Sequence, residues 1–267
     1  MAKKIKSIKA PRRIVFVELK SLRFFLADFT KRKKTFILYL TSYTARIRYQ
    51  NIEYVFCKTK TGTKHFYLNK IFEKKIKDST IEIDSVDKKN VKYFNFANVK
   101  DIGLKKVYNV DIVNCYPTQF KNFGFITNEE LDSINKKYKK FDKLRALGML
   151  ATKTQVINYE RGIQGKVESK QKKDANVFFA ICDAVGDIME ACMKVCKSFV
   201  FFWFDGIYFT NKSDCKRVER ILKDASFTYV TLELSDFFSR RDEKFIYISY
   251  LKGEEKKTFL MPSSLTG

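Results

Sequence analysis

The sequence predicts an α+β fold, in which a basic, β-rich region precedes a region of mixed helices and strands. Three observations predict it. Runs rich in β-branched and aromatic residues recur from residue 14 to residue 261, the composition of strands. One long segment places Phe178, Ile181, Cys182, Val185, Ile188, Met189, Cys192 and Cys196 three and four residues apart, the spacing of a helix with one buried face. An apolar fraction of 45% across 267 residues supplies a core for one large or two modest domains.

Residues 1–13 read as a basic flexible arm whose Lys3, Lys4, Lys6, Lys9, Arg12 and Arg13 form either a localisation signal or a grip on nucleic acid. Strands are predicted at 14–19 and 35–43. Segments 52–57 and 65–68 flank Lys58-Thr59-Lys60-Thr61-Gly62-Thr63-Lys64, a predicted hairpin. Its tip, with Lys58, Lys60 and Lys64, either lies on phosphates or is a solvated loop. Further strands are predicted at 81–86 and 91–97, with Glu82, Asp84 and Asp87 facing water.

Beyond residue 100 the pattern changes. Residues 106–113 are a strand and 116–123 the start of a helix or tight turn. Thr127-Asn128-Glu129-Glu130 has the spacing of a capping box, so a helix starts there and runs through 136–140. A second helical run covers 141–153, and Gly162, Gly165 and the polar stretch to 173 form a loop. The long amphipathic helix follows. Its Cys192 and Cys196 stand one turn apart but lack partner ligands, and read as buried thiols. Segments 198–204 and 207–210 are strands broken by Asp205-Gly206, which displays Asp205 at a hairpin tip. A helix over 213–225 and strands at 228–234, 244–251 and 256–261 complete the chain, the last two joined by a turn at Lys252-Gly253-Glu254-Glu255.

The formal charge of +23 points to a polyanionic partner, nucleic acid before an anionic membrane surface, because lysine and arginine near phosphates release condensed counterions. Residues 1–100 hold 25 Lys and Arg against 8 Asp and Glu, the remainder 28 against 22. The charge balance therefore places a division near residue 100, with 14–100 as a basic nucleic-acid-binding region. Six cysteines without a Cys-x-x-Cys pair, and a single histidine, argue against zinc and for a reduced, cytosolic setting; His65 reads as a hairpin residue. No apolar run approaches the ~18 residues that span a bilayer, and the Lys-rich start lacks the apolar stretch of a secretory signal. A cytoplasmic protein that does not engage membrane is expected.

Two segments about a hundred residues apart each end an apolar strand in an acid. They are Val110-Asp111-Ile112-Val113-Asn114-Cys115-Tyr116-Pro117-Thr118 and Phe202-Trp203-Phe204-Asp205-Gly206-Ile207-Tyr208-Phe209. Carboxylates brought from distant sequence onto neighbouring strands can share divalent cations, and phosphoryl transfer from a nucleoside triphosphate uses two cations roughly 3.5–4 Å apart.

From Asp111 to about residue 261 the order of elements resembles the palm and reduced fingers of family B DNA polymerases. The family's first motif, Asp-x-x-Ser-Leu-Tyr-Pro-Ser, is matched by Asp111, Tyr116 and Pro117 in register. Its central motif, Lys-x-x-x-Asn-Ser-x-Tyr-Gly, keeps only Lys143, with Leu147 and Leu150 in place of the Asn and Tyr. Its third motif, Asp-Thr-Asp-Ser-Ile-Tyr, keeps the second acid as Asp205, while Trp203 replaces the first. Leu232-Glu233-Leu234 and Lys244-Phe245-Ile246-Tyr247 resemble, one residue out of spacing, the acidic strand and the Lys-x-Tyr element that holds the primer terminus. No segment matches a 3′ to 5′ exonuclease.

The resemblance implies a polymerase palm-like antiparallel sheet in a catalytic domain of residues 101–267, with a short fingers insertion at about 124–173. It implies that Asp111, Asp205 and the Ile112 carbonyl bind two Mg2+ ions, for which Mn2+ can substitute, with Glu233 or Asp236 as an auxiliary acid. Lys143 would neutralise the triphosphate, helped by Lys140 and Arg145 and by whichever of Lys136, Lys137 and Lys139 face inward. Tyr116 would stack under the sugar and select deoxynucleotides. Trp203 reads as a core aromatic or as a stacking platform for a base. The implied activity is template-directed DNA polymerisation for a virus or mobile element in the host cell cytoplasm. The implied partners are primer-template DNA, dNTPs and a priming or accessory replication protein. The departures at Leu147, Leu150 and Trp203 leave a second reading open, a non-catalytic nucleic-acid-binding protein on a degenerate palm.

Overall fold

A computed structural model describes residues 13–41, 44–57, 62–87, 91–96 and 98–263. In chain order its elements are β1 (Arg13–Glu18), α1 (Leu22–Lys31), β2 (Phe36–Leu40), β3 (Ala45–Tyr49), β4 (Ile52–Cys57), α2 (Gly62–Asp78), β5 (Phe94–Asn95), β6 (Ile102–Ile112), α3 (Cys115–Asn122), α4 (Asn128–Lys137), α5 (Lys140–Gly148), β7 (Lys153–Glu160), β8 (Ile163–Gln171), α6 (Ala175–Val195), β9 (Phe199–Trp203), β10 (Gly206–Phe209), α7 (Ser213–Asp224), β11 (Tyr229–Arg241), β12 (Phe245–Lys252) and β13 (Glu255–Pro262). They form two compact units, each drawn from two stretches of chain. Unit 1 takes Met1–Asp78 and Lys136–Ala175, and unit 2 takes Ser79–Asn135 and Asn176–Gly267. This partition differs from a single cut near residue 100, and it divides the segment 124–173 between the units.

Unit 1 is built on a six-stranded sheet in the order β1-β4-β3-β2-β7-β8. The sheet is mixed, since β1 runs parallel to β4 while the other neighbours are antiparallel. Helix α1 repeats Leu22, Phe25, Leu26 and Phe29 along one side, and this stripe packs with Phe36, Leu38, Ile47 and Phe56 of the strands. The N-terminal region is therefore not mostly β. Residues 65–68, predicted as a strand, lie in α2, where His65, Phe66, Leu68, Asn69 and Phe72 are buried at helical spacing. Four residues are too few to separate alternation from a helical repeat. The Asn69 amide also donates to the Ala146 carbonyl at 2.9 Å, tying α2 to α5. The predicted basic tip loses its hairpin with that strand, and Lys58 and Lys60 lie outside the described residues, as does Arg12.

Other boundaries moved. The strand predicted at 35–43 ends at Leu40, and 42–43 lie outside the described residues. Residues 81–86 form no strand, and of 91–97 only β5 is extended, residue 97 lying outside the described set. The helix predicted over 141–153 stops at Gly148, and the loop predicted to 173 is the β7–β8 hairpin. Its two turn residues, Arg161 and Gly162, both have left-handed φ values of 48° and 79°, the primed turn that matches strand twist. Strand β8 is exposed along nearly all its length, so it shows no apolar alternation and is held by its ladder to β7.

Unit 2 is a seven-stranded antiparallel sheet, curled into a half-barrel, in the order β13-β12-β11-β6-β10-β9-β5. Four of these strands and two helices come in the chain order β6-α6-β9-β10-α7-β11, with α3 to α5, β7 and β8 inserted between β6 and α6, and with β6 central between β10 and β11 and β9 beside β10. This is the split β-α-β arrangement. The apolar stripe of α6 and the inner face of α7 pack Val185, Met189, Cys192, Val218 and Leu222 against Val110, Ile112, Phe202, Ile207 and Phe209. Burial pushes the Cys192 and Cys196 thiols up to about 12. The opposite face has its own core of Val107, Phe201, Leu234, Phe237, Ile248 and Tyr250. At the start of α4 the capping box is formed, with Thr127 N–H donating to Glu130 Oε2 at 3.1 Å and Glu130 N–H to Thr127 Oγ1 at 3.3 Å. Among the described residues no helix is long and apolar enough to cross a membrane.

Candidate active site

Strands β9 and β10 form a tight hairpin in which Trp203 pairs with Gly206 across the turn Phe204-Asp205. Phe204 takes the left-handed φ of 51°, a strained conformation for a bulky side chain. Its amide donates to the Tyr93 carbonyl at 2.6 Å and its ring leans on Tyr93 and Trp203, which holds the turn in place. On the other side of the turn, the Ile112 amide donates to the Asp205 carbonyl at 2.9 Å. Gly206 pairs directly with Asp111 across β10 and β6. The structure thus brings both predicted acids together, one at the end of the central strand and the other at the adjoining turn. Both are half-buried.

Period-two alternation along β6 puts Asp111 on the face of Val107 and Asn109, away from α6 and α7. Two tyrosines sit there with it. Burial raises the Tyr208 phenol well above its ordinary value, and Tyr250, Asp111 and Asp205 add to the rise. Burial raises Tyr250 as well, with Asp111 contributing. The two hydroxyls are 3.3 Å apart, and the Tyr208 ring stacks on Phe201 at 4.0 Å. Tyr116, on α3, is raised first by burial and then by Cys182, Cys115 and Asp205, and its ring lies nearly parallel to Phe178 at 6.5 Å. These phenols remain neutral at physiological pH and add no negative charge to that of the acids.

A strand-end carboxylate and one at the adjoining turn are the ligand type that an oxygen-preferring cation takes. Magnesium keeps several waters and is typically held by one or two protein carboxylates together with substrate phosphates. Gly206 leaves room for the Asp111 carboxylate, since a Cβ there would lie 3.3 Å from Asp111 Oδ1. Among the described residues no group of three or more His, Cys, Asp or Glu side chains converges, so any cation here would draw remaining ligands from water, backbone and substrate. Ile112, whose side chain is fully buried, can contribute only through its backbone.

The remaining predicted residues fall in both units. Lys140, Lys143 and Arg145 stand on α5 in unit 1, whereas both acids belong to unit 2. Lys143 is 4% exposed, and burial followed by repulsion from Lys140 lowers its pKa. Lys140 and Arg145 are exposed, as are Lys136, Lys137 and Lys139, and the Arg145 guanidinium lies 5.4 Å from the Phe141 ring centre. Leu147 and Leu150 are fully buried. Glu233 is not an auxiliary acid for Asp111: Val230 is the residue paired with Asp111, so Glu233 falls on the opposite face, where it meets Lys106 at 2.5 Å. Asp236 occupies a β-bulge six residues beyond Val230, on the order of 20 Å at strand rise. Tyr247 points to the face opposite Tyr250 and packs on Phe238, and Lys244 lies in the exposed turn before β12. Arg13 and Lys64 are exposed in unit 1. Trp203 packs among Phe94, Phe96 and Phe259 as a core aromatic.

Sequence reasoning missed one residue that sets the hairpin's position. Asp214, fully buried in the first turn of α7, accepts from Lys197 N–H at 3.2 Å, Ser198 N–H at 2.9 Å and Ser198 Oγ at 2.7 Å, and pairs with Arg217. Burial alone would raise its pKa, but the bonds from Ser198, Lys197 and Arg217 outweigh it and hold the carboxyl below its ordinary value. It clamps the entry of β9 to α7. The sequence signal was weak, because an acid in a first helical turn reads as an ordinary dipole partner. No protein-family model matches the chain, and no curated protein sequence matches it.

Proposed function

We propose that unit 2 is a polymerase palm and that the protein is a template-directed DNA polymerase, transferring deoxynucleotides to a primer 3′ hydroxyl. The observation that carries this reading is the register of Gly206 against Asp111, which sets Asp205 beside Asp111, whose strand face is the one opposite α6 and α7. The split β-α-β core supports it, since the motif order that resembles family B polymerases falls on β6, α3 and the β9–β10 hairpin. Asp111 and Asp205 would hold two Mg2+ ions, which supply a lowered pKa at the primer hydroxyl and charge neutralisation at the departing pyrophosphate. Asp111 is steadied by a central strand, and Asp205 by the backbone bonds on both sides of its turn. Tyr116, within electrostatic reach of Asp205, would meet the sugar of a nucleotide bound there.

Primer extension with dNTPs tests the reading. The unaltered protein is expected to extend a primed template with Mg2+ or Mn2+, and Asp111→Asn and Asp205→Asn each to abolish extension while DNA affinity stays level or rises.

The second reading, a nucleic-acid-binding protein on a palm without chemistry, is favoured by Trp203, which stands as a packed aromatic where the family has an acid. If the unaltered protein extends no primer with either metal yet binds DNA, that reading replaces the first.

A further inference from the structure

Helix α2 turns one side to the core of unit 1 and presents Lys64, Tyr67, Lys70, Ile71 and Lys74 on the other, all exposed and spaced three or four residues apart. Together with Lys137 they line an open groove of about 610 Å3. Ten residues separate Lys64 from Lys74, about 15 Å of helix, the run of roughly four phosphates at the spacing of a stacked strand. Tyr67 is 51% exposed, its ring steadied by Phe16 at 5.7 Å, so a large aromatic face stands in solvent between cations. Lys70 shares Glu73 with Lys172, at 2.7 and 2.8 Å, which assigns the phosphate-facing charge to Lys64, Lys74 and Lys137.

We propose that this groove binds single-stranded DNA, a base stacking on Tyr67 and the backbone phosphates lying on Lys64, Lys74 and Lys137. Lysines in line supply the sequence-independent electrostatic grip, and an exposed ring between them suits an unpaired base, whose face is free, over a duplex, whose base faces are stacked away. The acidic surface of a protein partner would match the charge but leave the ring without use. The choice of DNA over RNA rests on the polymerase reading of unit 2, whereas the groove's charge and ring stand without it.

Fluorescence anisotropy of labelled oligo(dT) with the full chain tests the proposal. Tyr67→Ala is expected to weaken binding about ten-fold and Tyr67→Phe to retain it. The exposed triple change Lys64→Gln, Lys74→Gln and Lys137→Gln is expected to reduce the slope of log affinity against log salt by about 2, at ~0.7 per phosphate contact. The matched exposed triple Lys216→Gln, Lys223→Gln and Lys252→Gln, all in unit 2, controls for net charge and should leave a steeper slope than the groove triple. Equal slopes for the two triples, with Tyr67→Ala at unaltered affinity, overturn the groove. Stronger binding of oligo(U), or of duplex, than of oligo(dT) overturns single-stranded DNA as its occupant. A protein that binds through the groove yet never extends a primer removes the polymerase reading alone.

Discussion

Gly206 stands directly across from Asp111, and the missing side chain is what gives the carboxylate its place. A Cβ on residue 206 would lie 3.3 Å from Asp111 Oδ1 and 3.2 Å from Asn109 Nδ2. Gly206→Ala therefore displaces the acid by a few tenths of an ångström while relieving the entropic cost of a strand glycine. Folding stability should hold level or rise by up to about 1 kcal/mol, and Mg2+ affinity and extension rate should each fall roughly ten-fold. Thermal melts paired with a metal titration check this.

Asp214 offers a pH test. Its carboxyl is held below the unfolded value of about 3.9, so the stability it contributes is present above that pH and is lost as pH falls through the depressed folded value. Asp214→Asn leaves buried donors with a weaker acceptor and should cost about 3 kcal/mol at pH 7. Calorimetry from pH 7 to pH 3 is expected to show the variant and the unaltered protein converging at the acid end.

Helix α6 is pressed against the segment that holds the acid-bearing turn. A Cβ on Gly186 would come within 2.5 Å of the Lys92 carbonyl, and the next residue, Tyr93, accepts the Phe204 amide. Gly186→Ala should destabilise by about 2 kcal/mol, overriding the ~1 kcal/mol that alanine gains in a helix. Denaturant unfolding gives the stability change. Because the clash propagates to the hairpin, extension should fall even at temperatures where the variant is fully folded.

The legible parts of this chain were those whose signal is local. The α6 stripe, the Thr127–Glu130 capping box, the β9–β10 hairpin and the terminal β12–β13 hairpin each carry their pattern within a few residues, and each is present. What the sequence did not show depends on distant partners. Residues 65–68 are too few to tell a strand from a helix, and it is the burial of His65, Phe66, Leu68, Asn69 and Phe72 along one side of α2 that shows the helical repeat. Strand β8 has no apolar face and exists because β7 lies beside it. At the candidate site, the adjacency of Asp111 and Asp205 could be anticipated from two acid-tipped strands. Glu233 could not be excluded in the same way, because a shift of one residue in register exchanges the faces of a sheet and nothing local fixes that register. Asp236 fell to the bulge that interrupts β11, which the apolar pattern does not announce.

Each compact unit is assembled from two separated stretches of chain. During synthesis the first unit cannot close until residue 175 has emerged, and by then the second already has residues 79–135 made and waiting for strands β9 to β13. The first unit can therefore close while the second still waits for residues 176–267, and a fragment ending at residue 135 leaves both incomplete.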